Sequence, residues 1–186
     1  MDRIVVSTED PEIAEVARGY GAEVLLRPPH LAADDSLVID TLRDIIERFA
    51  EGEVKLRTIV LLEPTCPFRS ATDVSECIAR LEDDEIDSVA TFTEASLNPY
   101  RSWTIVDGKP AMFIEGVNPW APRQRLPPAF QLNGAVYAFR ADRLPPDGPA
   151  ILFGNARAVI MPRERSIDID DMVDLRVASA LLDTST

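Results

Sequence analysis

Histidine occurs once in this 186-residue chain, at His30. A histidine-based metal centre or a Ser-His-Asp triad therefore has almost nothing to draw on. No serine or cysteine has an obvious general base beside it. Cysteine occurs twice, at Cys66 and Cys77, and the opening residues carry no secretory-leader pattern. Two reduced thiols of a cytoplasmic protein are the expectation, rather than a disulfide framework. No apolar run approaches the ~18 residues of a membrane-spanning helix. Basic residues are scarce: 19 Lys and Arg against 32 Asp and Glu, a net charge of −13. Such a surface argues against partners that are nucleic acids or anionic membranes. An anionic substrate stays open, because a few local arginines or a divalent cation reverse the local potential.

What is present fits one globular domain over residues 1–186, with 46% hydrophobic and 27% charged residues. Residues 3–8 form a short apolar, β-branched run, read as a buried strand. Asp10-Pro11 is a helix start, and Ile13, Val16, Ala17 and Tyr20 follow at helical spacing up to Gly21. Residues 23–26 predict a strand and 34–51 an amphipathic helix. Residues 58–62 predict the most apolar strand, buried on both faces. Ser70 caps a helix to Leu81, and residues 87–93 predict another strand. This βαβαβαβ order is that of a parallel α/β sheet. Beyond it, residues 103–105 and 110–114 flank Asp107-Gly108 as a hairpin. Strands at 132–139 and 156–161 and a closing helix at 170–182 complete the pattern.

Five places could carry chemistry. Asp168 and Asp170 stand at i, i+2 in Ser166-Ile167-Asp168-Ile169-Asp170-Asp171. In an extended segment they share one side, and paired hard oxygens suit Mg²⁺. The same residues are also explained as Asp170 capping the last helix, with Asp171 and Asp174 complementing its dipole. Arg123, Gln124 and Arg125 form the densest cationic cluster; they suit a carboxylate or phosphate, or simply a solvated loop. Asn133-Gly134-Ala135 opens a strand, where Asn could read an amide edge and Gly admit close backbone, or where a turn could form. Residues 61–69, with Glu63, Thr65 and Arg69, follow a buried strand at the end where open α/β sheets bind ligands. Turn and capping chemistry is the competing account there, as it is for Arg27-Pro28. With no activated nucleophile in view, the chemistry favoured is metal-assisted transfer that works by positioning.

Taken together, six segments resemble the acylneuraminate cytidylyltransferases, or CMP-sialic acid synthetases. They are residues 3–10 with 12–14, Arg27-Pro28 with Leu31-Ala32 and Asp34, residues 61–69, Pro122-Arg123-Gln124 with Leu126-Pro127, residues 133–137, and residues 166–170 with Asp174. Each is weak alone; six in register are specific. The resemblance implies an α/β, Rossmann-like nucleotidyltransferase fold, a three-layer sandwich with a mostly parallel sheet. It also implies a small β-hairpin insertion at about residues 98–130 that builds a homodimer. The implied reaction joins CTP to a nonulosonic, sialic-acid-like sugar, giving the CMP-sugar and pyrophosphate with Mg²⁺. Carried over by position, Asp168 and Asp170 would act at the catalytic centre by holding Mg²⁺. Arg27 and Asn133 would contact nucleotide or adjoining sugar, Glu63 would face the acyl sugar, and Arg123 with Gln124 would meet a sugar or phosphate anion.

The chain departs from the family in three ways. The family opens with a strand and an Ala-Arg-x-Gly-Ser-Lys type loop, and nothing here matches it. The expectation is an N-terminally truncated reading of a longer product, impaired as written, with the strands near Ile4 and Ile59 each short of a ladder partner. Glu63 stands where Gln is common, and a carboxylate cannot donate as an amide does. Cys66 and Phe68 replace Ser and Leu, and Val38 falls where Ser is frequent. Two other readings stay open: a synthetase for CMP-legionaminate, CMP-pseudaminate or CMP-Kdo, and a non-catalytic nucleotide- or sugar-binding or dimerisation remnant.

Overall fold

The computed structural model describes residues 2–183, which fall into two compact units. The first comprises the chain up to Arg57 together with Ala141–Ile151. In it β1 (Val5–Thr8) and β2 (Glu23–Leu26) pair in parallel, with Val5 opposite Glu23 and Thr8 opposite Leu26. The crossover is α1 (Pro11–Gly19), which starts as its sequence requires. Asp10 Oδ1 accepts from the amides of Glu12 at 2.7 Å and Ile13 at 3.0 Å, with Pro11 in the first turn. The second helix, α2 (Val38–Glu51), begins four residues later than its acidic run predicts. Residues 33–36 instead form a turn, in which the Ser36 hydroxyl donates to His30 O at 3.0 Å. Ile39, Leu42 and Phe49 bury the inner face of α2, and Arg48 donates to Leu26 O at 3.0 Å.

The second unit comprises Thr58–Arg140 and the chain from Leu152. Its four-stranded sheet has the order β3-β7-β4-β8, made from β3 (Thr58–Leu61), β4 (Ser88–Glu94), β7 (Phe130–Arg140) and β8 (Ala156–Ile160). β3, β4 and β8 run one way, and β7 runs against them. Residues 58–62 are not buried on both faces as predicted. Among the described residues β3 pairs only with β7, so it forms an edge: Thr58 is exposed and Ile59 to Leu61 are half-buried. The buried core lies one strand further in, around Val89, Val136, Ala138, Val159 and Met161. Helix α3 (Ala71–Arg80) covers this core with Cys77, and Leu81 follows it.

The predicted hairpin is present as β5 (Trp103–Val106) and β6 (Lys109–Met112). Its turn residues Asp107 and Gly108 both have positive φ, 50° and 73°, as the twist of a two-residue hairpin loop demands. Helix α4 (Met172–Asp183) closes the unit.

The sheet's main irregularity sits beside the candidate site. Ala90 faces Tyr137, but Phe92 faces Leu132. Two steps along β4 therefore span five along β7, and residues 133–136 form a bulge. Thr91 fills it: its hydroxyl lies 2.6 Å from Asn133 Oδ1 and accepts from the Val136 amide at 2.9 Å. Gly134 turns the chain there with φ +68°.

Candidate active site

The site is built where the loop after β3, the β7 bulge and the segment before α4 meet. Gly134 marks the meeting point. A Cβ there would come within 2.5 Å of Glu63 Oε2, 2.9 Å of Cys66 Sγ and 3.6 Å of Asp168 Oδ2. Only a residue without a side chain lets these three groups share the space.

Backbone contacts fix each arm. The guanidinium of Arg69 donates to Glu63 O at 2.7 and 2.8 Å and to Ala135 O at 2.9 Å, tying the β3 loop to the bulge. The amide of Ile169 donates to Thr65 O at 2.9 Å. This brings the 166–170 segment alongside the same loop. The Cys66 thiol is wholly buried, 3.0 Å from Asn133 O and 3.4 Å from Asp168 Oδ1. Burial first, then the Asp168 carboxylate, push its pKa up to about 12, so it serves as a protonated donor rather than a nucleophile.

The electrostatics are those of crowded carboxylates. Burial raises the pKa of Glu63, Asp168 raises it further, Arg69 opposes the rise, and Asp170 adds to it. Asp168 and Asp170 therefore both act on the space that Glu63 occupies. Tyr137 is pushed up to about 12, by burial first and then by Glu63, Cys66 and Asp168. Among the described residues, no three His, Cys, Asp or Glu side chains converge closely enough to hold a metal by themselves.

The competing account of Asp170 as a helix cap is corrected by the geometry. Asp171 is the cap: its Oδ1 accepts from the amides of Val173 at 2.6 Å and Asp174 at 3.0 Å. Asp174 Oδ2 accepts from the amides of Asp170 and Asp171, both at 3.1 Å. These reciprocal bonds leave the exposed Asp170 carboxylate outside the cap.

The other predicted residues are placed elsewhere or turned inward. Asn133 is 3% exposed. Its Nδ2 donates to Ser166 Oγ at 2.9 Å, and its Oδ1 accepts from Thr91, so its amide is engaged inside the protein. Arg123 and Gln124 lie on an exposed turn, where Arg123 reaches Glu94 at 3.2 Å. That turn borders a cleft of about 220 Å³ between residues 94–101 and 126–129. Arg27 belongs to the first unit; its Nη2 donates to Ser7 O at 2.6 Å. Sequence reasoning missed Asp73 and Arg165, which form a two-bond pair at 2.8 and 3.1 Å. The available signal was Ser70-x-x-Asp73, a capping-box spacing, with Arg165 immediately before Ser166.

This architecture is that of the α/β nucleotidyltransferases. It is similar to the solved CMP:2-keto-3-deoxy-manno-octonic acid synthetase complexed with CTP, with a TM-score of 0.67 and 16% identity, covering 100% of this chain and 83% of that one. The cytidylyltransferase family matches residues 1–152, and the chain belongs to that family of nucleotidyltransferases. It is 30% identical over 189 residues to the CMP-N,N'-diacetyllegionaminic acid synthase of Legionella pneumophila, covering 98% of this chain and 78% of that protein. It is 26% identical over 171 residues to an N-acylneuraminate cytidylyltransferase of Streptococcus agalactiae, covering 92% of this chain and 40% of that protein. Among the described residues no helix is long and apolar enough to cross a membrane.

Proposed function

We propose that this chain transfers the cytidylyl group of CTP to a nonulosonic, sialic-acid-like sugar acid in the cytoplasm. The observation that carries the reading is the meeting of Glu63, Cys66 and Asp168 over Gly134, just past the carboxyl end of β3. The anomeric oxygen of the sugar bonds to the α-phosphorus, the bond from that phosphorus towards the β-phosphate breaks, and pyrophosphate leaves. The hydroxyl proton is released as the ester forms.

Asp168 and Asp170 would hold Mg²⁺. Their hard oxygens fit it, and two carboxylates suffice because Mg²⁺ takes further ligands from substrate phosphates and water. Bound there, the ion supplies charge neutralisation on the triphosphate. Cys66, as donor, and Ile169, through its amide, keep Asp168 in place. Arg123 with Gln124 would meet a sugar or phosphate anion. Asn133 supports the site from inside, through Ser166.

The substrate class draws support from the relatives, whose names specify N-acylneuraminate and CMP-diacetyllegionaminic acid. Glu63 bears on the sugar: held above its ordinary pKa, its carboxyl is more readily protonated and can then donate as an amide does. Pyrophosphate release from CTP should be measured with N-acetylneuraminic acid, diacetyllegionaminic acid and Kdo, with and without Mg²⁺. Metal-dependent release with one of the nine-carbon acids is expected. Release with Kdo alone, or with none, overturns the proposal.

The proposed partner is a second copy. Ile105, Val106, Phe113 and Trp120 leave exposed apolar surface on and around the hairpin, and Trp103 lies 6.2 Å from Trp120, centroid to centroid. Sedimentation equilibrium should give a dimer; a monomer at tens of micromolar removes this part of the reading.

A further inference from the structure

The segment from Arg163 to Asp170 has no regular structure beyond one turn, yet it carries the two carboxylates on which the proposed function rests. Asp168 and Asp170 both press negative charge on the Glu63 carboxyl, and a free segment would relax by swinging away. Something must hold it in position. The hydrogen bonds of Ser166 and Ile169 hold its middle. Its upstream end is held by Arg165, whose Nη2 donates to Asp73 Oδ1 at 2.8 Å and whose Nε donates to Asp73 Oδ2 at 3.1 Å.

Asp73 is an unusual anchor. It is 4% exposed and is itself immobilised in the first turn of α3. The Ser70 amide donates to its Oδ2 at 2.8 Å, and the Ser70 hydroxyl donates to the same oxygen at 2.7 Å. One carboxylate thus closes the capping box of α3 and grips Arg165 in the two-bond geometry that fixes a guanidinium in both distance and plane. Helix α3 follows directly on the loop that carries Glu63 and Cys66. The pair therefore joins the loop and the acidic segment into one frame.

We propose that Asp73 and Arg165 are positioning residues for the Asp168–Asp170 segment: through their paired bonds they hold both carboxylates against the β3 loop in the geometry that receives a divalent cation with a nucleotide. This rests on the proposed function for the identity of the cation complex, but the ordering of the segment is measurable without it.

The test uses the full chain and its Arg165→Gln, Arg165→Lys and Asp73→Asn variants. Hydrogen exchange of the Ile169 amide reads the segment directly, urea unfolding reads global stability, and Mn²⁺ binding in the presence of CTP, followed by electron paramagnetic resonance, reads the carboxylates. In Arg165→Gln, Ile169 exchange should accelerate about tenfold or more through local opening, while exchange in β4 and β7 stays unchanged. Mn²⁺ affinity should fall about 10-fold, the usual scale for losing a group that orients metal ligands. Arg165→Lys should recover part of both. If Asp73→Asn fails to fold because its cap is lost, the two Arg165 variants still decide. Unchanged Ile169 exchange overturns the proposal, as does faster exchange with undiminished Mn²⁺ affinity. If the parent chain binds no Mn²⁺ with CTP, the metal reading itself falls and takes the positioning role with it. The exchange data would then report only that the pair orders the segment.

Discussion

The Cys66 sulfur lies 3.4 Å from Asp168 Oδ1. A thiol in that position does the work of a small hydroxyl: its one proton is shared between the Asn133 carbonyl at 3.0 Å and the Asp168 carboxylate. Burial holds its pKa at about 12, so native protein at pH 8 should resist iodoacetamide at Cys66 and react only on unfolding. Cys66→Ser keeps a donor and should be mild. Cys66→Ala leaves the Asp168 carboxylate short of a partner and should cost about 1–3 kcal/mol in urea unfolding. Equal losses in the two variants would show that the sulfur matters as volume alone.

Gly134→Ala should be among the most damaging single changes in the second unit. The new Cβ would lie 2.5 Å from Glu63 Oε2 and 2.9 Å from Cys66 Sγ, at a φ of +68°. Strain and displacement together should cost about 2–4 kcal/mol. Gly108→Ala is the control: it has a similar φ of +73° but nothing within 4 Å, so only the conformational cost of ~1 kcal/mol applies. Equal thermal shifts for the two would mean that the crowding over Gly134 has no consequence.

Asp170 and Asp171 should separate function from stability. Asp171→Ala removes the cap of α4 and should cost ~1 kcal/mol, with Mg²⁺-dependent turnover preserved in the folded fraction. Asp170→Ala removes no capping bond. It should leave the unfolding midpoint within the ~0.5 kcal/mol typical of surface changes and abolish metal-dependent turnover. Retained turnover in Asp170→Ala would take Asp170 out of the metal site.

Two carboxyls give opposite pH signatures. Burial alone would raise Asp73, but hydrogen bonds from Arg165 and Ser70 outweigh it and hold the pKa at about 2. Its stabilising contribution is therefore complete above the unfolded value of 3.8 and is lost as pH falls towards 2; Asp73→Asn should flatten that acid limb. Glu63 is raised above the ordinary 4.5 instead, so the stability tied to its protonated form is complete below 4.5 and is lost as pH rises through the native value. Glu63→Gln should be more stable than the parent at pH 7, with the advantage shrinking to nothing below about pH 4.5. Chemical denaturation across pH 2–8 measures both, and a Glu63→Gln advantage that does not depend on pH would contradict the assignment.

Local signals in the chain were reliable where the physics is local. Asp10-Pro11, Ser70 and Asp107-Gly108 act through bonds or dihedrals within a few residues, and each start or turn lies where its chemistry places it. The strand at residues 58–62 was misjudged because an apolar run shows that a strand can be buried, not how many neighbours it has. The bulge at residues 133–136 was half visible: Gly134 marked a special backbone, but only the register with β4 shows that Asn133 faces inward to Thr91 and Ser166. At the candidate site, Asp168, Asp170 and Glu63 stood out by residue type and order. Asp73 and Arg165 did not, because their pairing joins positions 92 apart in sequence and leaves no periodic trace.

The slack that residues 133–136 introduce into β7 also sets the phase of everything before them. Side chains on a strand alternate in direction, so removing one residue there would invert Phe130, Gln131 and Leu132 while leaving Tyr137 to Arg140 as they are. Gln131, whose Oε1 now receives the Ser96 amide at 3.0 Å, would turn to the opposite side of the sheet. The length of this bend is thus under tighter constraint than the identity of most residues in it: a one-residue deletion would rotate the approach to the hairpin half a turn, which no single substitution can do.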